Sequence, residues 1–84
     1  MSRRLTGDQR LGRIPRMNAR RVIRRIVDLG GEIVRQKGSH VRVRAGACFA
    51  TVPDHGARDI PAGTLRSIER QLAPCLGEGW LREG

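Results

Sequence analysis

The sequence predicts an α+β fold of order α-β-β-β-α, a three-stranded antiparallel sheet with two helices on one face. Three observations predict it. An amphipathic segment ends at the paired Gly30 and Gly31, three short strand-like runs are separated by glycine turns, and a second helical pattern follows Pro61.

The first helix is read from Ala19 to Leu29. Val22, Ile23, Ile26 and Val27 recur at the spacing of one helical face, whereas Arg20, Arg21, Arg24, Arg25 and Asp28 take the other. Asn18 is a favourable N-cap, since its side chain can accept an orphan backbone N–H. The strands are read as Glu32 to Gln36, His40 to Arg44 and Cys48 to Val52. The intervening Lys37-Gly38-Ser39 and Ala45-Gly46-Ala47 are too short for a crossover, so the strands form an antiparallel meander. Pro53 to Gly56 reads as a loop, because proline cannot donate to a ladder. The second helix starts between Pro61 and Thr64, buries Leu65, Ile68 and Leu72, and is expected to stop at Pro74. Trp80 lies in a Gly-rich end with too little pattern to place.

Residues 1–16 mix Arg with Gly, Gln and Pro without a period and are expected to be a disordered basic arm. Residues 17–74 form the expected domain, and residues 75–84 its Gly-rich C-terminal tail. Met17 could also start translation, making residues 1–16 an upstream extension, which mass spectrometry of the native N-terminus would show.

At 84 residues the chain is too short for a multidomain enzyme. It carries 17 Lys and Arg against 8 Asp and Glu, a formal charge of +9. Sixteen of the basic residues are Arg, whose planar fork of donors suits phosphate, so the composition points to a polyanion. Nine of those Arg fall within the first 25 residues, so part of the excess belongs to a tail rather than to a folded site. No run approaches a membrane span or a secretory signal, and a cytoplasmic location with no membrane partner is expected. Few Ser and the breaks at Gly7, Gly12 and Pro15 argue against a transit peptide. Cys48 and Cys75 show neither a disulfide framework nor zinc spacing and are expected to be reduced thiols.

Alternation along the middle strand turns Val41 and Val43 toward the helices and leaves His40, Arg42 and Arg44 on the open face. Lys37 lies just before the turn. A titratable imidazole beside phosphate-binding cations is what RNA cleavage needs: a group to take the 2′-hydroxyl proton, one to protonate the leaving oxygen, and positive charge for the phosphorane. Histidine ordinarily titrates near neutrality. The plainer alternative is a solvated strand face. His55 is either a second proton carrier or part of a local turn, for which Asp54 is suited. Ser39 points away from His40 along an ideal strand and has no orienting acid, which argues against a nucleophile. His40, His55, Asp54 and Cys48 lack metal-ligand spacing, so no metal, cofactor or small-molecule ligand is expected.

The segment Gly30-Gly31-Glu32-Ile33-Val34-Arg35-Gln36-Lys37-Gly38-Ser39-His40, followed by Thr51-Val52-Pro53-Asp54-His55-Gly56 and Gly63-Thr64-Leu65-Arg66-Ser67-Ile68, resembles the HicA family of bacterial toxins. The similarity covers about Met17 to Leu72, and Lys37-Gly38-Ser39-His40 is its most specific part. The resemblance implies a double-stranded-RNA-binding-domain-like fold and metal-independent cleavage of messenger RNA, with His40 catalytic. It further implies inhibition by a HicB-type antitoxin that covers this histidine.

On this reading Lys37, Arg42 and Arg44 hold phosphate, Ser39 fixes the turn, and His55 is the candidate second proton carrier. A noncatalytic module that recognises double-stranded RNA by shape competes with it. Such a binder needs the cations but not His40. A third reading is a nucleoid-associated or partner-binding basic protein that works mainly through the arm.

Overall fold

The structure, a computed structural model, describes residues 16–82. The arm expected over residues 1–16 lies outside them except for Arg16. Helix α1 (Ala19–Asp28) is followed by strands β1 (Glu32–Lys37), β2 (His40–Ala45) and β3 (Cys48–Pro53) and by helix α2 (Ala62–Leu76). The expected α-β-β-β-α order is therefore observed, as an antiparallel sheet of order β1-β2-β3.

Helix α1 has no acidic residue in its first turn. With Arg20 and Arg21 there, the helix dipole is opposed rather than supported. Its start depends on Asn18, whose Oδ1 accepts the Arg21 N–H at 3.0 Å. Just before it the Ile60 N–H donates to the Met17 carbonyl at 2.8 Å, which ties the approaches to both helices together.

Ala19, Val22 and Ile26 form the buried row of α1. Val27, assigned to the apolar face from its spacing, is 47% exposed. One residue past Ile26 turns it about 100° away from the buried row. Arg25, expected to face water, is partly buried and donates from Nε to the Trp80 carbonyl at 2.9 Å.

Both hairpins have two-residue loops beginning with glycine. Gly38 and Gly46 have φ of 59° and 62°, and a positive φ at the first central residue is what such a loop demands.

Gly31 is needed for a different reason: a Cβ there would lie 2.9 Å from the Arg44 carbonyl oxygen and 2.5 Å from Ile26 Cγ2. Gly31→Ala must push β2 and α1 apart. The expected cost is about 1–3 kcal/mol, read as a lower thermal midpoint. An unchanged midpoint would show that the contact relaxes freely.

On the helix side of the sheet Val41, Val43, Ala45, Ala50 and Val52 meet Val22, Ile26, Leu65, Ile68 and Leu72 in one core. The expected pairing of two helices with one sheet face follows from this. Strand β1, by contrast, is exposed along its whole length. It also carries an irregularity between Ile33 and Arg35, where the register advances two residues against one. Val34 is the extra residue, and such a bulge locally re-aims side chains.

Two expectations are corrected, and a third feature that the sequence left unplaced is located. Helix α2 does not stop at Pro74 but continues to Leu76. Proline removes the N–H that the Arg70 carbonyl would accept and crowds that carbonyl, and the turn is held nonetheless by Leu76 packing on the core and by Cys75.

The cysteines are not free thiols: Cys48 and Cys75 form a disulfide across a Cα separation of 6.1 Å. Their spacing of 27 residues gave no hint of it, because the packing of α2 on β3 brings them together. Trp80, finally, sits inside the core at 2% exposure, with Leu81 beside it. Its Nε1–H donates to the Glu69 carbonyl at 2.9 Å, and Arg82 pairs with the buried Glu69 carboxylate at 2.8 Å.

Candidate nucleic-acid interface

The burial pattern of β2 is a strict alternation. Val41, Val43 and Ala45 are buried whereas His40, Arg42 and Arg44 are exposed on the face that no helix covers. The arrangement expected from the sequence is thus present in three dimensions.

Register determines what flanks it. His40 pairs with Lys37 of β1 and Pro53 of β3, Arg42 with Arg35 and Thr51, and Arg44 with Glu32 and Phe49. Directly opposed side chains on one face lie about 5 Å apart at Cβ, so each row is a set of near neighbours.

The rows differ in charge. Arg44 is neutralised by Glu32 through a salt bridge between exposed side chains. Among the described residues no acid pairs with Arg42. Its Nη1 donates to Thr51 Oγ1 at 3.0 Å, and its Cζ lies 5.2 Å from the Phe49 ring centroid. The guanidinium is thereby held in place, with one of its five donors engaged among the described residues. Arg35 stands opposite it, and like charges placed so destabilise a sheet until an anion lies between them.

Arg35, Lys37, His40, Arg42 and Thr51 line one shallow depression of about 150 Å³. Sites that enclose a small molecule run from about 300 to 1,000 Å³. The depression is smaller than that range.

A larger hollow of about 380 Å³ lies between α2 and the C-terminal turn and includes Arg66, Glu69, Arg70 and Arg82. It mixes both signs of charge and contains no histidine.

Lys37, His40 and Arg42 are brought together as expected, and Arg44 lies farther along the same face, bound to Glu32. Ser39 occupies the turn before His40, and its carbonyl accepts the Asp54 N–H at 2.6 Å. That bond extends the β2–β3 ladder past Pro53, so the serine backbone helps hold the end of β3.

His55 is exposed and is not among the residues lining the depression. The Asp54 carboxylate accepts the Gly56 N–H at 3.0 Å in a local turn, the role favoured for it from the sequence.

Arg35, Thr51 and Phe49 were missed. Each was accessible to the same alternation rule: Arg35 is two residues before Lys37, and Phe49 and Thr51 alternate with the buried Ala50 and Val52. Among the described residues no group of three or more His, Cys, Asp or Glu could hold a metal ion, and no helix is long and apolar enough to cross a membrane.

A family model described as HicA toxin of bacterial toxin-antitoxin matches residues 19–73, from the start of α1 into the last turns of α2. Neither a curated protein nor a solved structure matches the chain.

Proposed function

The chain belongs to the HicA toxin family of bacterial toxin–antitoxin systems, and from that premise we propose that it is a metal-independent endoribonuclease that cleaves messenger RNA on the open face of its sheet. The observation that carries the reading is a lone exposed imidazole, His40, in one depression with Arg35, Lys37 and Arg42 and no carboxylate among them. Three cations around a group able to move a proton favour a phosphodiester over an acidic protein surface, which would need no imidazole.

In the proposed reaction the 2′-oxygen attacks the adjacent phosphorus and the bond to the 5′-oxygen breaks. A 2′,3′-cyclic phosphate and a 5′-hydroxyl result. His40 takes the 2′-hydroxyl proton or supplies the proton to the leaving oxygen, while Lys37 and Arg42, with Arg35, bind the phosphate as its charge rises. Arg44 acts at longer range because Glu32 engages it. Ser39 and Gly38 hold the turn that presents His40. The second proton carrier proposed is His55, the other imidazole of the chain, two residues beyond the Pro53 that pairs with His40.

Membership of the family implies an antitoxin partner. We assign that partner to the HicB type, covering His40, and the site of action to the cytoplasm, where messenger RNA is translated.

The test is direct. Purified protein in excess EDTA is expected to cut a defined single-stranded RNA into fragments with cyclic-phosphate and 5′-hydroxyl ends. Induction in a bacterial host is expected to arrest growth, and the product of a neighbouring gene to relieve the arrest. RNA binding without any cleavage would favour the noncatalytic module.

A further inference from the structure

The chain has two aromatic residues, and they are placed oppositely. Trp80 is in the core with its N–H satisfied. Phe49 lies on the open face of β3, 42% exposed, although nothing in the fold forces a ring into water there. It is the aromatic member of the few large apolar side chains exposed among the described residues.

Its surroundings are those of a base-binding platform rather than of a protein-binding patch. Phe49 is directly opposite Arg44 and sits under the guanidinium of Arg42, the same Arg42 that lines the depression with His40. Aromatic rings and planar guanidinium groups are the two side-chain surfaces on which unstacked nucleobases pack, and the cations beside them follow the backbone. Exposed aliphatic side chains, which would mark an apolar protein contact, lie elsewhere. They are Ile33 and Val34 of β1 and Val27 and Leu29 at the end of α1.

We propose that Phe49, together with Arg42, forms a stacking subsite for one unpaired base of a single-stranded RNA, at a fixed distance from the phosphate held at His40. The inference rests on the reading of His40 as a ribonuclease site and adds to it the substrate form.

His40 and Arg44, which Phe49 opposes, are four residue steps apart along the strand, a reach of about 13 Å. The base at Phe49 is therefore offset along the RNA strand from the reacting phosphate. A base in a duplex is already stacked on its neighbours and cannot use this surface. The substrate is therefore single-stranded RNA, and Phe49 sets which nucleotide is presented to His40.

The test uses the full chain and a short 2′-O-methyl oligoribonucleotide, which lacks the attacking hydroxyl and so cannot be cut. A fluorescent 2-aminopurine is placed at each position in turn. Binding to the wild type is expected to quench it at one position, and the same sequence as a duplex is expected to bind more weakly. Phe49→Leu keeps apolar bulk but removes the ring; affinity is expected to fall about tenfold and the quenching to disappear. Phe49→Trp is expected to restore both.

Several results overturn the proposal. Quenching at no position with the wild type would do so, even if Phe49→Leu failed to fold. Equal affinity for the duplex would also do so, as would a folded Phe49→Leu that binds and cuts RNA normally, whether or not it loses a protein partner. Those three leave the nuclease reading intact. Failure of the wild type to bind either oligonucleotide would remove both.

Discussion

Replacement of His40 by alanine is expected to lower RNA cleavage by about 100- to 10,000-fold, the usual loss when a positioned acid or base is removed. The fold should not notice. His40 is exposed at the first residue of β2 and fills no part of the core, so the stability change is expected within about 0.5 kcal/mol.

Affinity for an uncleavable RNA should also persist, because Lys37 and Arg42 remain. Arg42→Ala should do the reverse in part, weakening binding and freeing Thr51 and Phe49 from the contacts that Arg42 makes with them. Cleavage at the wild-type rate by a folded His40→Ala protein would reject the catalytic role. Growth arrest should follow cleavage: lost in His40→Ala, present in the wild type.

The largest effect on stability is expected at Trp80. Its ring is buried, its N–H is bound to the Glu69 carbonyl of α2, and its own carbonyl accepts from Arg25 of α1. One residue thus joins both helices from a segment outside either.

Trp80→Ala should cost about 3–5 kcal/mol, the range for truncating a buried aromatic. A loss of about 3 kcal/mol would lower the melting temperature of a domain this small by about 12–24 °C. Small domains have little stability to spare, so a large unfolded fraction is expected at growth temperature. Trp80→Phe preserves most of the volume and loses the hydrogen bond, so its cost should be near 1 kcal/mol plus the imperfect fit. Thermal unfolding followed by circular dichroism distinguishes these outcomes, and a shift of under about 2 °C for Trp80→Ala would show that the C-terminal turn is not part of the cooperative unit.

The two predictions fall on opposite sides of what periodicity can reveal. His40 was legible because side-chain direction in a strand alternates every residue, and β2 is covered on one face by helices, so burial and exposure must alternate too. Phe49 obeys the same rule on β3, whereas Arg35 lies on a strand exposed along its whole length, where burial marks no face.

Trp80 obeys no local rule. A segment with glycine at positions 77, 79 and 84 has neither a helical nor a strand period, and Trp80 is held by Arg25 of α1 and Glu69 of α2, which come together only in the folded core. The bulge at Val34 is equally silent in sequence, since it is defined by the partner strand's register.

Local chemistry along the chain was sufficient for the five elements, their antiparallel order and the face on which the imidazole stands, because capping, turn geometry and the 3.6- and 2-residue periods all act over a few neighbours. Packing of distant segments settled what those interactions cannot reach: the Cys48–Cys75 bond, the extension of α2 past Pro74, the docking of Trp80, and the register that pairs Arg44 with Glu32 and Arg42 with Thr51. Each depends on atoms that become neighbours only when the sheet and both helices close on one core.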